Sequence, residues 1–135
     1  MACKNISNPK TTLSIDKRYY NILGKMKSYI LATTGYPKTK VFLLQEAIDS
    51  AQTGDFPPFE ELRKYQKNTP RWGVGVSEIH HERAREIKIH YGENFGCSVF
   101  IYEILQYWID KRVEEMGGIE KIENYLNSVS PRMAA

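Results

Sequence analysis

Three histidines, two cysteines and a set of tyrosines interleaved with lysines are the side chains with most chemical capacity in this 135-residue chain. A metal needs converging imidazoles or thiolates, but His80 and His81 are neighbours that diverge around a helix, and His90 stands alone. No Cys or acid lies at ligand spacing, so all three are expected as surface or half-buried histidines. Cys97 follows Gly96 at an expected helix start, where a helix dipole lowers a thiol's pKa; a small buried residue is the plainer reading. Tyr19, Tyr20, Tyr29 and Tyr36 alternate with lysines as base-stacking side chains do, yet helical spacing assigns Tyr19 and Tyr29 to a core. There is no sign of a Ser/His/Asp arrangement, paired carboxylates, a phosphate-cradling loop or a cofactor motif. The sequence therefore points away from an enzyme and calls for neither cofactor nor metal.

A quieter pattern remains. Lys10, Thr12 and Ser14 alternate with apolar residues, and so do Arg71, Gly73 and Gly75. In a strand such alternation places Leu13, Ile15, Val74 and Val76 on the core side. One cation and two hydroxyls then face outward from the first strand, and one cation and two glycines from the second.

The elements that would hold these strands can be read from periodicity. Residues 1–9 read as a flexible arm. Asp16 is a candidate N-cap, and Tyr19, Ile22, Leu23, Met26, Tyr29 and Ile30 form a helical stripe. Gly35 and Pro37 end that helix. A second begins near Lys38-Thr39 and carries Val41, Leu43, Leu44, Ala47, Ile48 and Ala51. Residues 54–70 read as a linker with a turn or two of helix between Phe59 and Gln66. Ser77 then caps a helix with Ile79, Ala84, Ile87 and Tyr91 in its stripe. Gly96 stops it, and Ser98 is expected to open a helix carrying Val99, Phe100, Ile101, Ile104, Leu105, Trp108 and Ile109. Gly117-Gly118 precedes a short amphipathic helix with Ile119, Ile122, Tyr125 and Leu126, before a frayed tail.

The order strand, helix, glycine, helix thus occurs twice. An offset of 61 superposes Lys10 on Arg71, Leu13 on Val74, Ile15 on Val76 and Gly35 on Gly96. Past the glycine the best match shifts to an offset of 57, which sets Leu44 on Ile101 and implies a turn four residues longer in the first half. The expected units are 10–53 and 71–116, followed by a C-terminal helix and tail in 117–135.

This pattern, T-T-L-S-I…T-G-Y-P-K-T…L-L-Q-E-A-I and again G-V-G-V-S…F-G-C-S-V-F-I-Y-E-I-L, resembles the ribbon-helix-helix regulators of the MetJ/Arc type. The resemblance implies a mostly α fold with a short two-stranded antiparallel ribbon, built as a tandem pseudo-dimer within one chain. It implies sequence-specific binding of double-stranded DNA by the ribbon in the major groove, in a transcriptional regulator or a plasmid- or virus-type accessory protein. Base contacts would come from Lys10, Thr12, Ser14 and Arg71, and phosphate contacts from Lys38, Thr39, Lys40 and Ser98 at the second-helix N-termini. The alternative is a protein-interaction module on the same scaffold, gripping a partner through the C-terminal helix.

Charge agrees with the first reading. Residues 1–53 hold eight Lys/Arg and three acids, a net of +5, whereas 71–110 hold four bases and six acids, a net of −2. A basic half favours a polyanion. No apolar run approaches the roughly 20 residues of a membrane span, the start of the chain has no signal-peptide pattern, and two lone cysteines suit a reducing compartment. A cytoplasmic protein is expected, monomeric as a pseudo-dimer or assembling further on DNA.

Overall fold

Thr12–Asp16 (β1) and Arg71–Gly75 (β2) are too short to stand alone, because a lone strand leaves its backbone groups unpaired. In the structure, a computed structural model that describes residues 11–66 and 70–129, they pair antiparallel with each other. Leu13 lies opposite Val74, Thr12 opposite Gly75, Ser14 opposite Gly73, Ile15 opposite Trp72 and Asp16 opposite Arg71. The Val76 N–H donates to the Thr11 carbonyl at 2.7 Å and extends the ladder by one bond. Leu13, Ile15, Val74 and Val76 are buried, as the alternation requires.

Each strand leads into an 18-residue helix, α1 (Lys17–Thr34) and α4 (Glu78–Phe95). The caps are those read from sequence. Asp16 accepts from the Arg18 N–H and Ser77 from the His80 N–H. Gly35 and Gly96 close the helices at φ 78° and 70°, a left-handed conformation that glycine adopts without steric cost. Next come α2 (Lys40–Thr53) and α5 (Ile101–Glu115), with the short α3 (Phe59–Arg63) between the halves and α6 (Ile119–Val129) after them. α2 packs on α4 of the other half, and α5 packs on β1 of the other half. One continuous apolar cluster therefore serves both units.

The repeat is more regular than the sequence suggested. α5 opens at Ile101, with Phe100 as N-cap, and not at Ser98. Four residues lie between Gly35 and Lys40 and also between Gly96 and Ile101, so the offset stays at 61 throughout and the first turn is not longer. Leu44 corresponds to Leu105 rather than to Ile101, and both are fully buried, whereas Ile101 is half-buried. Two kinds of polar contact obey the same offset. Gln106 accepts the Asp16 N–H at 2.7 Å, and Gln45 accepts the Ser77 N–H at 3.2 Å. Tyr19 donates to Asp110 at 2.8 Å, and His80 Nε2 lies 3.2 Å from Asp49. Each glutamine and each aspartate thus reaches from the second helix of one half to the first helix of the other. Leu13 and Val74 are equivalents as well as partners, so the pseudo-twofold relation passes through that pair.

Several stripe assignments are corrected. Ile79 and Phe100 are exposed and Tyr29 is half-buried against Tyr125. Cys97 is an exposed free thiol in the turn before α5. Trp72 lies on the core side of the alternation, but at the end of the ribbon it stays 45% exposed. α6 packs on α1 through the fully buried Ile122, the Tyr29–Tyr125 ring contact and an ion pair between Lys25 and Glu123.

Candidate nucleic-acid interface

Pairing of β1 with β2 leaves one face of the ribbon to the core and the other to solvent. Thr12, Ser14, Gly73 and Gly75 are all exposed on that outer face. Each hydroxyl-bearing residue stands opposite a glycine, so the face is low and half bare. A Cβ on Gly73 would come within 2.8 Å of Thr12 Cγ2. At Gly75 it would meet none of the described residues within 4 Å, and the backbone there is not in the positive-φ region.

Arg71 closes one end of this face. Its guanidinium lies 4.3 Å from the centroid of the Tyr102 ring, which holds it in place but leaves its charge intact. Lys10 lies outside the described residues.

The expected phosphate contacts divide. Thr39 is the N-cap of α2, where its hydroxyl accepts the Phe42 N–H at 3.0 Å. Lys40 is the first residue of that helix, and its Nζ sits 3.9 Å from the centroid of Tyr20 on α1. The bare backbone of Gly24 lets the lysine stem lie there, since a Cβ would stand 3.1 Å from Lys40 Cε. The first turn of a helix presents N–H groups and the positive end of its dipole, which suits an anion. Lys38 is otherwise engaged: it pairs with Glu46 at 2.9 Å, and Glu46 also binds Arg112 at 2.8 Å.

The second half departs from this pattern. Ser98 precedes the helix by three residues, and its carbonyl accepts from Arg63 at 2.9 Å. The N-terminus of α5 is capped from within. Glu103 is fully buried, its Oε1 accepts the Phe100 N–H at 2.8 Å, and its Oε2 faces Arg63 Nε at 3.5 Å. That carboxylate lies in the first turn of α5, beside the N–H groups that would hold an external anion there. Nothing local in the sequence marks Glu103 as a cap, because its place at N3 follows only from the start of the helix.

One constellation went unnoticed in the sequence. Ser77 Oγ lies 2.8 Å from His80 Nδ1, and His80 Nε2 lies 3.2 Å from Asp49. The order Ser–His–Asp resembles an activated nucleophile. Here Ser77 Oγ is already the N-cap acceptor for the His80 N–H, and Arg83 binds the same Asp49 at 2.7 Å. These contacts tie α4 to α2. Opposite them, Tyr19 and Tyr65 both donate to Asp110, at 2.8 and 2.6 Å. Burial, reinforced by the Asp110 carboxylate, pushes both phenols well above their ordinary pKa.

A groove of about 600 Å³ runs between α1 and α6, lined by Asn21, Gly24, Ser28, Glu123, Asn127 and others. Among the described residues no group of three or more His, Cys, Asp or Glu is placed to hold a metal, and no helix is long and apolar enough to cross a membrane.

Two strand–helix–helix units locked about a shared antiparallel ribbon define the architecture. No protein-family model matches the chain, and neither a curated protein nor a solved structure shows significant similarity to it.

Proposed function

We propose that this protein binds double-stranded DNA by laying the outer face of the β1–β2 ribbon in the major groove, as a transcriptional regulator or an accessory protein that marks a DNA site. The layout supports the resemblance to ribbon-helix-helix regulators: paired strands on top, interlocked helices beneath, the first turn of α2 close by. The observation that carries the reading is Gly75. Glycine in a strand interior costs stability, and it is retained where a turn, a bulge or the close approach of another molecule demands it. Neither backbone conformation nor a neighbouring atom among the described residues requires a glycine at position 75. An approaching ligand is the remaining demand, and Thr12, Ser14 and Arg71 around it are donors suited to base edges.

Gly75→Val tests this directly. The variant should keep its melting temperature within a few degrees, because valine favours strands and the space is open, while gel shifts on duplex DNA should lose at least tenfold in affinity. Unchanged binding by a folded Gly75→Val protein would sink the ribbon reading. The rival, a protein partner gripped by the C-terminal helix, has less support, because α6 spends Ile122 on α1.

A further inference from the structure

Some of the positive side chains among the described residues are neutralised by a carboxylate, and others are not. Lys25, Lys38, Arg63, Arg83 and Arg112 each face a carboxylate. Lys17, Arg18, Lys40 and Arg71 rest instead over the rings of Trp72, Tyr19, Tyr20 and Tyr102, with no ion pair among the described residues. An aromatic quadrupole attracts a cation without neutralising it, so these four keep their charge for an outside anion.

Four of these side chains form one continuous ladder. Lys17 Nζ is 5.5 Å from the Trp72 ring centroid, Trp72 and Tyr20 are 5.2 Å apart at 34°, and Lys40 Nζ is 3.9 Å from Tyr20. The ladder runs from the end of the ribbon to the first residue of α2. Its indole is 45% exposed, although Ile15, its strand partner, is fully buried. An exposed indole flanked by two unneutralised lysines suits a sugar–phosphate chain, in which apolar deoxyribose alternates with anionic phosphate. At the offset of 61 the corresponding positions in the other half are Glu78 for Lys17, His81 for Tyr20, Ile101 for Lys40 and Thr11 for Trp72. That flank has neither the lysines nor the indole, and Glu103 caps its helix from within.

We infer that the ladder of Lys17, Trp72, Tyr20 and Lys40 is a backbone anchor for one DNA strand beside the ribbon, and that the pseudo-symmetric flank has no counterpart. The inference rests on the DNA reading above and adds a polarity to it: the protein holds the duplex by one side.

The test titrates a duplex of random sequence, about 25 base pairs long, into the full-length protein. Affinity and tryptophan emission are followed together at several salt concentrations. Trp72→Phe separates the Trp72 signal from that of Trp108. Emission from Trp72 should change on binding and saturate with the same dissociation constant as the gel shift. Trp72→Ala should weaken all duplexes about tenfold, the usual order for loss of an aromatic platform, and Trp72→Phe should restore most of that. Lys17→Gln with Lys40→Gln, which leaves the core untouched, should lower the salt slope by about two. Glu78→Gln with His81→Ala should leave the slope within half a unit. If the wild type binds but Trp72 emission and the lysine variants' salt slope stay unchanged, the anchor is refuted and the ribbon reading stands. If the wild type binds no duplex, both fall.

Discussion

At the residue scale, polar groups do two separate jobs. Asp110 on α5 accepts hydrogen bonds from Tyr19 on α1 and from Tyr65 just after α3, in a partly buried cluster. Both phenols have folded-state pKa values raised above the unfolded value of about 10. Below pH 10 they are protonated in both states, and their contribution is fully present. As the pH rises past 10, the unfolded chain releases protons that the folded one retains, so stability falls. Chemical denaturation at pH 9 and pH 11 should show this loss, and Tyr19→Phe with Tyr65→Phe should shrink the difference between the two pH values. The outer ribbon residues have no such internal work. Changing Thr12 or Ser14 to Ala should leave the melting temperature nearly unmoved and cost about 1–3 kcal/mol of binding at one or two base pairs, if each reads a base edge. Binding measured on a selected site and its single-base variants checks this.

Elements come next in scale, and here the molecule locks its halves with equivalent contacts of unequal strength. The Asp16 N–H meets the buried Gln106 at 2.7 Å, whereas the more exposed Ser77 N–H meets Gln45 at 3.2 Å. Gln106→Ala should therefore destabilise by about 1–3 kcal/mol, the cost of leaving a buried donor unsatisfied, and Gln45→Ala by clearly less. Leu44→Ala and Leu105→Ala should each cost about 2–5 kcal/mol in denaturant unfolding, and Ile101→Ala, half-buried, should cost less than either. These pairs also explain what the sequence could reveal. The strands, the caps at Asp16 and Ser77 and the glycine stops at 35 and 96 depend on short-range chemistry, and they were legible. The start of α5 was not. A hydrophobic run from Val99 to Ile104 fits a helix in more than one register, and Ser98 has the chemistry of a cap without serving as one. Contacts between distant parts of the chain, such as Gln106 with the strand 90 positions away, fix the register at 61. The ring–cation ladder was hidden for a similar reason. Trp72 comes from β2, Tyr20 from α1 and Lys40 from α2, and no local pattern brings them together.

Over the whole molecule the scaffold is nearly symmetric and its surface is not. The core equivalents Leu13 and Val74, Leu44 and Leu105, and Ile48 and Ile109 are all buried, while hydroxyls face glycines across the ribbon and Lys17 corresponds to Glu78. A ribbon of this kind should read a non-palindromic site; selection of binding sequences from a random pool that returned a near-perfect palindrome would contradict the asymmetry. Everything at this scale depends on the claim that duplex DNA is the ligand. The direct measurement is the dissociation constant of the wild-type protein for a random duplex of about 25 base pairs at roughly 50 and 200 mM salt. Binding should be micromolar or tighter at the lower salt and weaken steeply at the higher as counterions compete for the phosphates. A constant no better than millimolar at 50 mM salt would contradict it.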